Sequence, residues 1–173
     1  MPSETVKIPH DRVGALIGPQ GSTKKIVEKK GKVRIEVDSE SGEVEIKGRD
    51  PVKVLKSQHV VKAIGRGFSP EKAFKLFEDD FMLDIIELDL SGSKKELENI
   101  RGRIIGTQGK ARQKIEEETH SFISVYGKTV SIIAKMDDIQ NTRKGLEMLL
   151  RGASHSRVYS ILKRMDSKKF ELV

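Results

Sequence analysis

Short segments of alternating apolar and polar residues occur in the same order in each half of the chain. Such alternation predicts strands with one buried face. An opening strand is expected at residues 5–8 and again at 85–90. Two β-branched runs, typical of a hairpin, follow in each half: residues 33–37 with 43–46, and residues 122–126 with 129–134.

Helical segments lie between and after these strands. Residues 22–30 and 110–119 are rich in good helix formers and place Val27 and Ile115 inward. Asp50-Pro51 predicts the start of a further helix, because aspartate caps helices and proline suits the first turn. We expect Asp137 and Asp138 to cap its counterpart.

Each of these later helices is expected to end near a glycine, Gly65 or Gly152, before one extra helix that begins at Ser69 or Ser154. The acidic stretch 78–80 is the linker candidate. The pattern predicts an α+β protein of two domains, residues 1–80 and 81–173. Each has a three-stranded sheet packed by helices, with an extra C-terminal helix per repeat.

An internal repeat supports this division. The segment 14–21, GALIGPQG, aligns with 102–109, GRIIGTQG, at an offset of 88 residues. The same offset pairs Ile35 with Ile123, and with two residues removed from the turn after Val37 it also pairs Ile46 with Ile132. The correspondence covers most of both halves, so the two domains are predicted to share one fold.

Composition narrows the class of protein. The chain has 173 residues, 36% of them apolar, and no apolar run long enough for a membrane span; the segment MPSETVKIPH does not resemble a signal peptide. We therefore expect a soluble, cytoplasmic protein. It contains no cysteine, and its four histidines are scattered, so we expect no disulfide, metal site or cofactor.

Charge favours an anionic partner. The formal net charge is +7, and basic surfaces gain affinity for phosphate chains by releasing counterions. The basic residues concentrate around two glycine pairs, Gly18 with Gly21 and Gly106 with Gly109. Between Arg101 and Ile115 there are five basic residues and no acidic one.

Both glycine pairs have the spacing G-x-x-G, follow an aliphatic pair, and lie between predicted helices. One such pair is weak evidence, but the duplicated context resembles the KH domain, and the order of elements is that of the eukaryotic-type (type I) variant. The resemblance implies a loop that clamps about four nucleotides of single-stranded RNA. Glycines suit this role because they let backbone N–H groups and a helix N-terminus approach the sugar-phosphate chain.

The second loop is predicted to be the tighter RNA site, since Thr107 and Gln108 keep both N–H donors while Pro19 removes one from the first loop. By the resemblance, Ile105, Ile115, Ile123 and Val125 would line or support an aliphatic groove for bases, although each also fits a plain core position. Solvated helix faces are the alternative explanation for the basic residues. The predicted RNA-binding residues are Arg103, Ile105, Gly106, Thr107, Gln108, Gly109, Lys110, Arg112, Lys114 and Ile123, with Gly18, Gln20, Gly21, Lys24 and Lys25 in the first domain.

Three segments of the second half make the resemblance more specific: RGRIIG at 101–106, LLRG at 149–152 and SRVY at 156–159. Together they are similar to the archaeal partner-of-Nob family of ribosome-assembly proteins. The resemblance implies binding near the 3′ end of 16S ribosomal RNA, with a Nob-type endonuclease and a translation-initiation factor as partners. Eukaryotic relatives typically have a degenerate first domain, whereas this chain keeps a full first loop. For the SRVY segment, helix packing is preferred over direct partner contact.

Three other functions are alternatives to RNA binding in ribosome assembly. An enzyme is disfavoured because the chain has neither a Walker-type loop nor a serine-histidine-acid set. A protein-interaction scaffold built on KH folds is disfavoured by the intact loops. An RNA-binding regulator of another pathway, or an exosome subunit, stays open, although the barrel domain of an exosome subunit is missing.

Overall fold

The computed structural model describes residues 1–88 and 92–171, without the side chain of Phe170. The chain divides into two compact units, Met1–Leu83 and Asp84–Val173. The predicted boundary lay after residue 80. The end of the second predicted opening strand, at 89 and 90, falls outside the described residues.

The first unit begins with strand β1 (Ser3–Lys7) and helix α1 (His10–Ile17), followed by a 3₁₀ turn at Pro19–Gly21. Helix α2 (Ser22–Gly31) leads into the hairpin strands and the longest helix of the unit. A short helix and a second 3₁₀ turn complete it. These later elements are β2 (Val33–Val37), β3 (Glu43–Gly48), α3 (Pro51–Gly65), α4 (Pro70–Ala73) and the turn Phe74–Phe77.

The second unit repeats this order. Its elements are β4 (Phe81–Glu87), α5 (Lys94–Ile105), a 3₁₀ turn at Thr107–Gly109, α6 (Lys110–Thr119), β5 (Phe122–Tyr126), β6 (Thr129–Lys135), α7 (Met136–Leu150) and α8 (His155–Glu171). The extra C-terminal helix is therefore long in the second unit and a single short turn of helix in the first.

Each unit has one three-stranded sheet, with strand orders β1-β3-β2 and β4-β6-β5. The hairpins pair in equivalent register, Ile35 opposite Ile46 in the first and Ile123 opposite Ile132 in the second. This register confirms the alignment of the two halves that the repeat predicted.

The core of each unit lies between its sheet and its helices. The equivalent residues Val27 and Ile115 are both fully buried on α2 and α6. The hairpin residues Ile35, Ile46 and Ile132 pack with them, each at most 1% exposed. Aliphatic side chains thus bind sheet and helices together with no cross-link.

Helix α3 begins as predicted, because the Asp50 carboxylate accepts a hydrogen bond from the Val52 N–H at 2.9 Å. The matching prediction for α7 was wrong: Lys135 occupies the cap position and makes no side-chain cap. Asp138 is instead buried in the first turn and accepts a hydrogen bond from Lys169 Nζ at 2.6 Å. Carboxylates in a first turn still interact favourably with the helix dipole.

Within residues 1–88 and 92–171, no helix combines the length and apolar character needed to cross a membrane.

Candidate nucleic-acid interface

The two glycine loops have the same backbone conformation. Gly18 and Gly106 lie at φ 72°, ψ 174° and φ 73°, ψ 178°, and Gly21 and Gly109 at φ 74°, ψ 14° and φ 73°, ψ 12°. Pro19 therefore leaves the shape of the first loop unchanged. The first loop is as well formed as the second.

A glutamine in each loop has left-handed backbone geometry, with φ at 56° in both Gln20 and Gln108. Non-glycine residues seldom adopt this conformation, which costs about 1–2 kcal/mol relative to a right-handed one. The same left-handed residue at the same place in both loops shows that the two copies share one loop conformation.

The two glycines of each loop meet different surroundings. A Cβ on Gly106 would lie 2.5 Å from the Ala111 Cβ and 2.8 Å from its backbone nitrogen, and Gly18 is similarly crowded by Thr23. A Cβ on Gly109 would meet nothing within 4 Å. The first glycine is needed for packing, and the second leaves open space for a ligand to approach the backbone.

Backbone donors are available at the second loop. The Gly106 and Gly109 N–H groups bond to Gly102 O and Gly106 O, at 2.8 and 3.2 Å. By contrast, the exposed Thr107 and Gln108 donate their N–H groups to no acceptor in the part of the chain described. In the first loop only Gln20 offers such a donor, because Pro19 has none.

Three cations follow the second loop on α6. Lys110 is exposed, at the first position of the helix, and forms no ion pair with any residue that the structure describes. Arg112 Nε lies 3.4 Å from Glu116 Oε1, and Lys114 Nζ lies 3.8 Å from Glu118 Oε1. The Lys114 side chain is 50% exposed, so its pair holds the cation weakly. The Arg112 side chain is 40% exposed, but its Nε is buried and makes no hydrogen bond within the described residues.

Within the first five residues of the helix, the first loop is followed by two cations and the second by three. Lys24 Nζ lies 3.9 Å from Glu28 Oε1, and Lys25 is exposed. Where the second unit has Lys110 and Lys114, the first has Ser22 and the exposed Ile26. The positive charge at the helix start is therefore greater in the second unit.

The aliphatic residues predicted to form the groove for bases divide into two groups by their exposure. Ile105 and Val125 are half-buried and leave apolar surface accessible, as do their equivalents Ile17 and Val37. Ile123 is only 2% exposed and belongs to the core cluster, as does Ile115. Ile123 therefore cannot contact RNA directly, which corrects its prediction as a binding residue. Its face of the hairpin strand packs inward against the helices.

Arg103 also differs from its predicted role. Its Nη2 donates to the Ala153 carbonyl at 2.6 Å, and its own carbonyl lies 2.7 Å from His155 Nε2. Arg103 thus ties α5 to the turn between α7 and α8, which leaves its guanidinium only partly free for phosphate.

A cleft of about 730 Å³ lies beside the second loop, lined by Arg103, Thr107, Lys110, His155 and Tyr159 among others. His155 and Tyr159 were not predicted at this site. Their position could have been predicted from the repeated segment RGAS at 151–154. This segment directly precedes α8, whose first residues lie beside the loop in the second unit.

Half of the SRVY segment packs in the core, as the preferred interpretation predicted, whereas Ser156 and Arg157 are exposed. Val158 is fully buried in the core cluster, and Tyr159 is half-buried against it. Burial raises the pKa of the Tyr159 hydroxyl, and Lys114 Nζ lies 5.9 Å from the ring centroid.

Sequence reasoning also missed two structural carboxylates. Glu28 Oε1 accepts the Ile35 N–H at 2.9 Å, and Glu116 Oε2 accepts the Ile123 N–H at 3.1 Å. Each bond joins the helix after a loop to the next strand. The signal was present in the repeat, since Glu28 and Glu116 are equivalent positions.

A three-stranded sheet, a strained G-x-x-G loop between two helices and cations in the first turns of the second helix, all present twice, define a tandem KH-domain protein, which is an RNA-binding class of fold. Comparison with known families agrees. A model described as "Eukaryotic type KH-domain (KH-domain type I)", built for the second domain of partner-of-Nob proteins, matches residues 82–167. A general KH-domain model matches residues 3–63.

The chain belongs to the archaeal partner-of-Nob family, also called Dim2p. A KH domain-containing protein of Methanocaldococcus jannaschii is 44% identical over 178 residues, covering 98% of this chain and 78% of that protein. The crystal structure of Dim2p from Pyrococcus horikoshii has a TM-score of 0.88 and 45% identity, covering 95% of this chain and 99% of that one.

Two further solved structures are similar over nearly the whole chain. A protein of unknown function from Aeropyrum pernix has a TM-score of 0.93 and 38% identity, with 98% of this chain and 93% of that chain covered. A complex from Pyrococcus horikoshii, described as a/eIF2alpha-aDim2p-rRNA, has a TM-score of 0.89 and 45% identity, with 96% and 95% covered.

Proposed function

We propose that this protein binds single-stranded RNA in the 3′ region of 16S ribosomal RNA and acts in maturation of the small ribosomal subunit in the cytoplasm. The observation that carries the proposal is the second loop. There two unpaired N–H groups, an open glycine and the exposed Lys110 converge at the start of α6.

The chemistry of this loop suits a sugar-phosphate backbone. The Thr107 and Gln108 N–H groups would donate to phosphate oxygens, and the N-terminus of α6 adds positive potential. Lys110, with Arg112 and Lys114 behind it, would neutralise neighbouring phosphates. The half-buried Ile105 and Val125 would then contact the bases, as an aliphatic groove does in KH domains.

The relatives support the choice of RNA and partners. A similar Dim2p is described in a complex with a/eIF2alpha and rRNA. We infer that ribosomal RNA is the target here as well, with a translation-initiation factor and a Nob-type endonuclease as protein partners.

The test is crosslinking in cells followed by sequencing of the bound RNA, for the wild-type protein and for Gly109→Asp. The wild type is expected to enrich the 3′ region of 16S rRNA. Gly109→Asp should lose that enrichment, because its carboxylate would lie against phosphate, while the open position limits the structural cost to that of the positive φ.

The control is Gly152→Asp, which adds the same charge at another open glycine of positive φ. It should keep the enrichment. Wild-type reads scattered over messenger RNAs would point to another pathway. Equal crosslinking by Gly109→Asp would mean that the second loop does not hold the RNA, and an absence of crosslinked RNA with the wild type would point to a protein-interaction scaffold.

A further inference from the structure

A second basic surface lies in the first unit, away from its glycine loop. It is a cleft of about 570 Å³ at the end of the sheet where β2 begins and β3 ends. Its lining includes five cations, Lys32, Arg34, Lys47, Arg49 and Lys53, and two acids, Glu36 and Asp50. We call it the sheet-end cleft.

Most of this positive charge is available to a ligand. Arg34 and Lys47 pair with acids on their own strands, at 3.6 Å from Glu36 and 3.0 Å from Glu45. Lys32, Arg49 and Lys53 form no ion pair within residues 1–88 and 92–171. The nearby Asp50 already accepts the hydrogen bond that caps α3.

The placement of Lys53 does not serve the stability of the fold. It lies in the first turn of α3, where the helix dipole is positive and disfavours a cation. The same dipole adds to the positive potential of the sheet-end cleft. A bound anion would be stabilised by both the Lys53 charge and the helix dipole.

The second unit provides an internal comparison. Positions equivalent to the five cations are His120, Phe122, Ile133, Lys135 and Asp138, so only Lys135 is a permanent cation. His120 lies 3.4 Å from Asp166, and Ile133 and Asp138 are buried. The KH fold therefore does not require the basic residues, and the sheet-end cleft is a property of the first unit.

We propose that the sheet-end cleft binds the phosphate backbone of RNA beyond the nucleotides held by the glycine loops. This inference rests on the proposed function, because it concerns the same RNA. Helix α2 separates the cleft from the first loop by its ten residues, about 15 Å, so the two are distinct contacts.

Charge on the same sheet favours this assignment. At the other end of the hairpin Asp38, Glu43 and Glu45 line an acidic surface that would repel phosphates, and Glu36 lies between the two ends. An RNA backbone that binds this sheet would therefore lie at its basic end. The cleft has cations and few of the apolar anchors that dominate protein–protein contacts, so RNA fits it better than an acidic protein.

The test compares the full-length wild type with Arg49→Gln/Lys53→Gln, using RNA of about four nucleotides and RNA of about 40. The short RNA should bind both proteins equally. For the long RNA, the variant should lose about tenfold in affinity at low salt, and the slope of log K against log salt should fall by about 1.4, or 0.7 for each lost phosphate contact.

Lys7→Gln/Lys144→Gln is the matched control, since it removes the same charge at two exposed lysines outside the cleft. It should bind the long RNA with the wild-type slope. An unchanged slope in Arg49→Gln/Lys53→Gln would overturn the proposal, and so would an equal change in the control.

Gly109→Asp separates this question from the proposed function. If that variant keeps full affinity for the short RNA, the proposed function fails. If it loses the short RNA while Arg49→Gln/Lys53→Gln binds both RNAs like the wild type, only the sheet-end cleft fails as an RNA contact.

Discussion

At the scale of single residues, the two glycines of each loop differ in why they must be glycine. Gly106 combines φ 73° with ψ 178°, a region that is essentially restricted to glycine, and its space is filled by Ala111. Gly109 lies in the left-handed helical region, which other residues reach at moderate cost, and it faces open space. The first position requires glycine because a side chain would not fit there, and the second because a ligand needs access to the backbone.

This difference predicts unequal effects on stability. Gly106→Ala should lower the free energy of unfolding by about 2–3 kcal/mol, because its Cβ overlaps Ala111 and its backbone must shift. Gly109→Ala should cost about 1 kcal/mol, from its positive φ alone. Urea unfolding of both variants measures the difference. Equal losses of unfolding free energy would mean that α6 moves to accommodate the alanine side chain at position 106.

At the scale of elements, each loop is held by the helix that follows it, and that helix is held to the sheet. Glu28 and Glu116 accept N–H groups of Ile35 and Ile123, which binds α2 to β2 and α6 to β5. The basic start of α6 is therefore fixed relative to the hairpin. One oxygen of the Glu116 carboxylate pairs with Arg112, and the other serves the fold by accepting the Ile123 N–H.

Removing that carboxylate should loosen the contact between helix and strand. Glu116→Ala leaves the Ile123 N–H without its acceptor, and we expect a loss of about 1–2 kcal/mol in the free energy of unfolding. Glu116→Gln keeps an oxygen acceptor and should lose less than half as much. Urea unfolding and hydrogen exchange at the Ile123 amide check both variants. If both variants lost the same free energy of unfolding, the effect would come from the broken ion pair between Arg112 and Glu116 instead.

At the scale of the whole molecule, the two units have the same fold and loop geometry but different surface charge. The second unit concentrates cations and free N–H groups at its glycine loop. The first has one loop donor fewer and carries a basic cleft at the end of its sheet. Duplication thus provided one framework, and substitution of exposed residues made the two copies unequal.

The inequality predicts the order of two matched variants. Gly21→Asp and Gly109→Asp introduce the same side chain at nearly identical φ and ψ, so their structural costs should be similar. Gly109→Asp should reduce affinity for single-stranded RNA by at least about tenfold more than Gly21→Asp, because more donors and cations surround it. Equilibrium RNA binding measures the ratio. A larger loss for Gly21→Asp would make the first loop the principal site.

Much of the fold was predictable because the signals are local. Alternation of side chains located the hairpins, and the repeat aligned their register at Ile35 with Ile46 and Ile123 with Ile132. The G-x-x-G spacing located both loops, since few residues besides glycine adopt their φ values. The cap at Asp50 also depends only on its immediate neighbours.

Other features depend on residues distant in the chain, and the sequence alone did not determine them. Ile105 and Ile123 both looked like groove residues, but the tertiary structure left the first half-buried and enclosed the second in the core. Arg103 turned out to bind the Ala153 carbonyl, 50 residues away, and Asp138 turned out to pair with Lys169 instead of capping α7. The chain by itself determined where backbone conformation is restricted. Which side chains remain exposed to RNA was decided only by packing, because burial depends on every element that surrounds a residue.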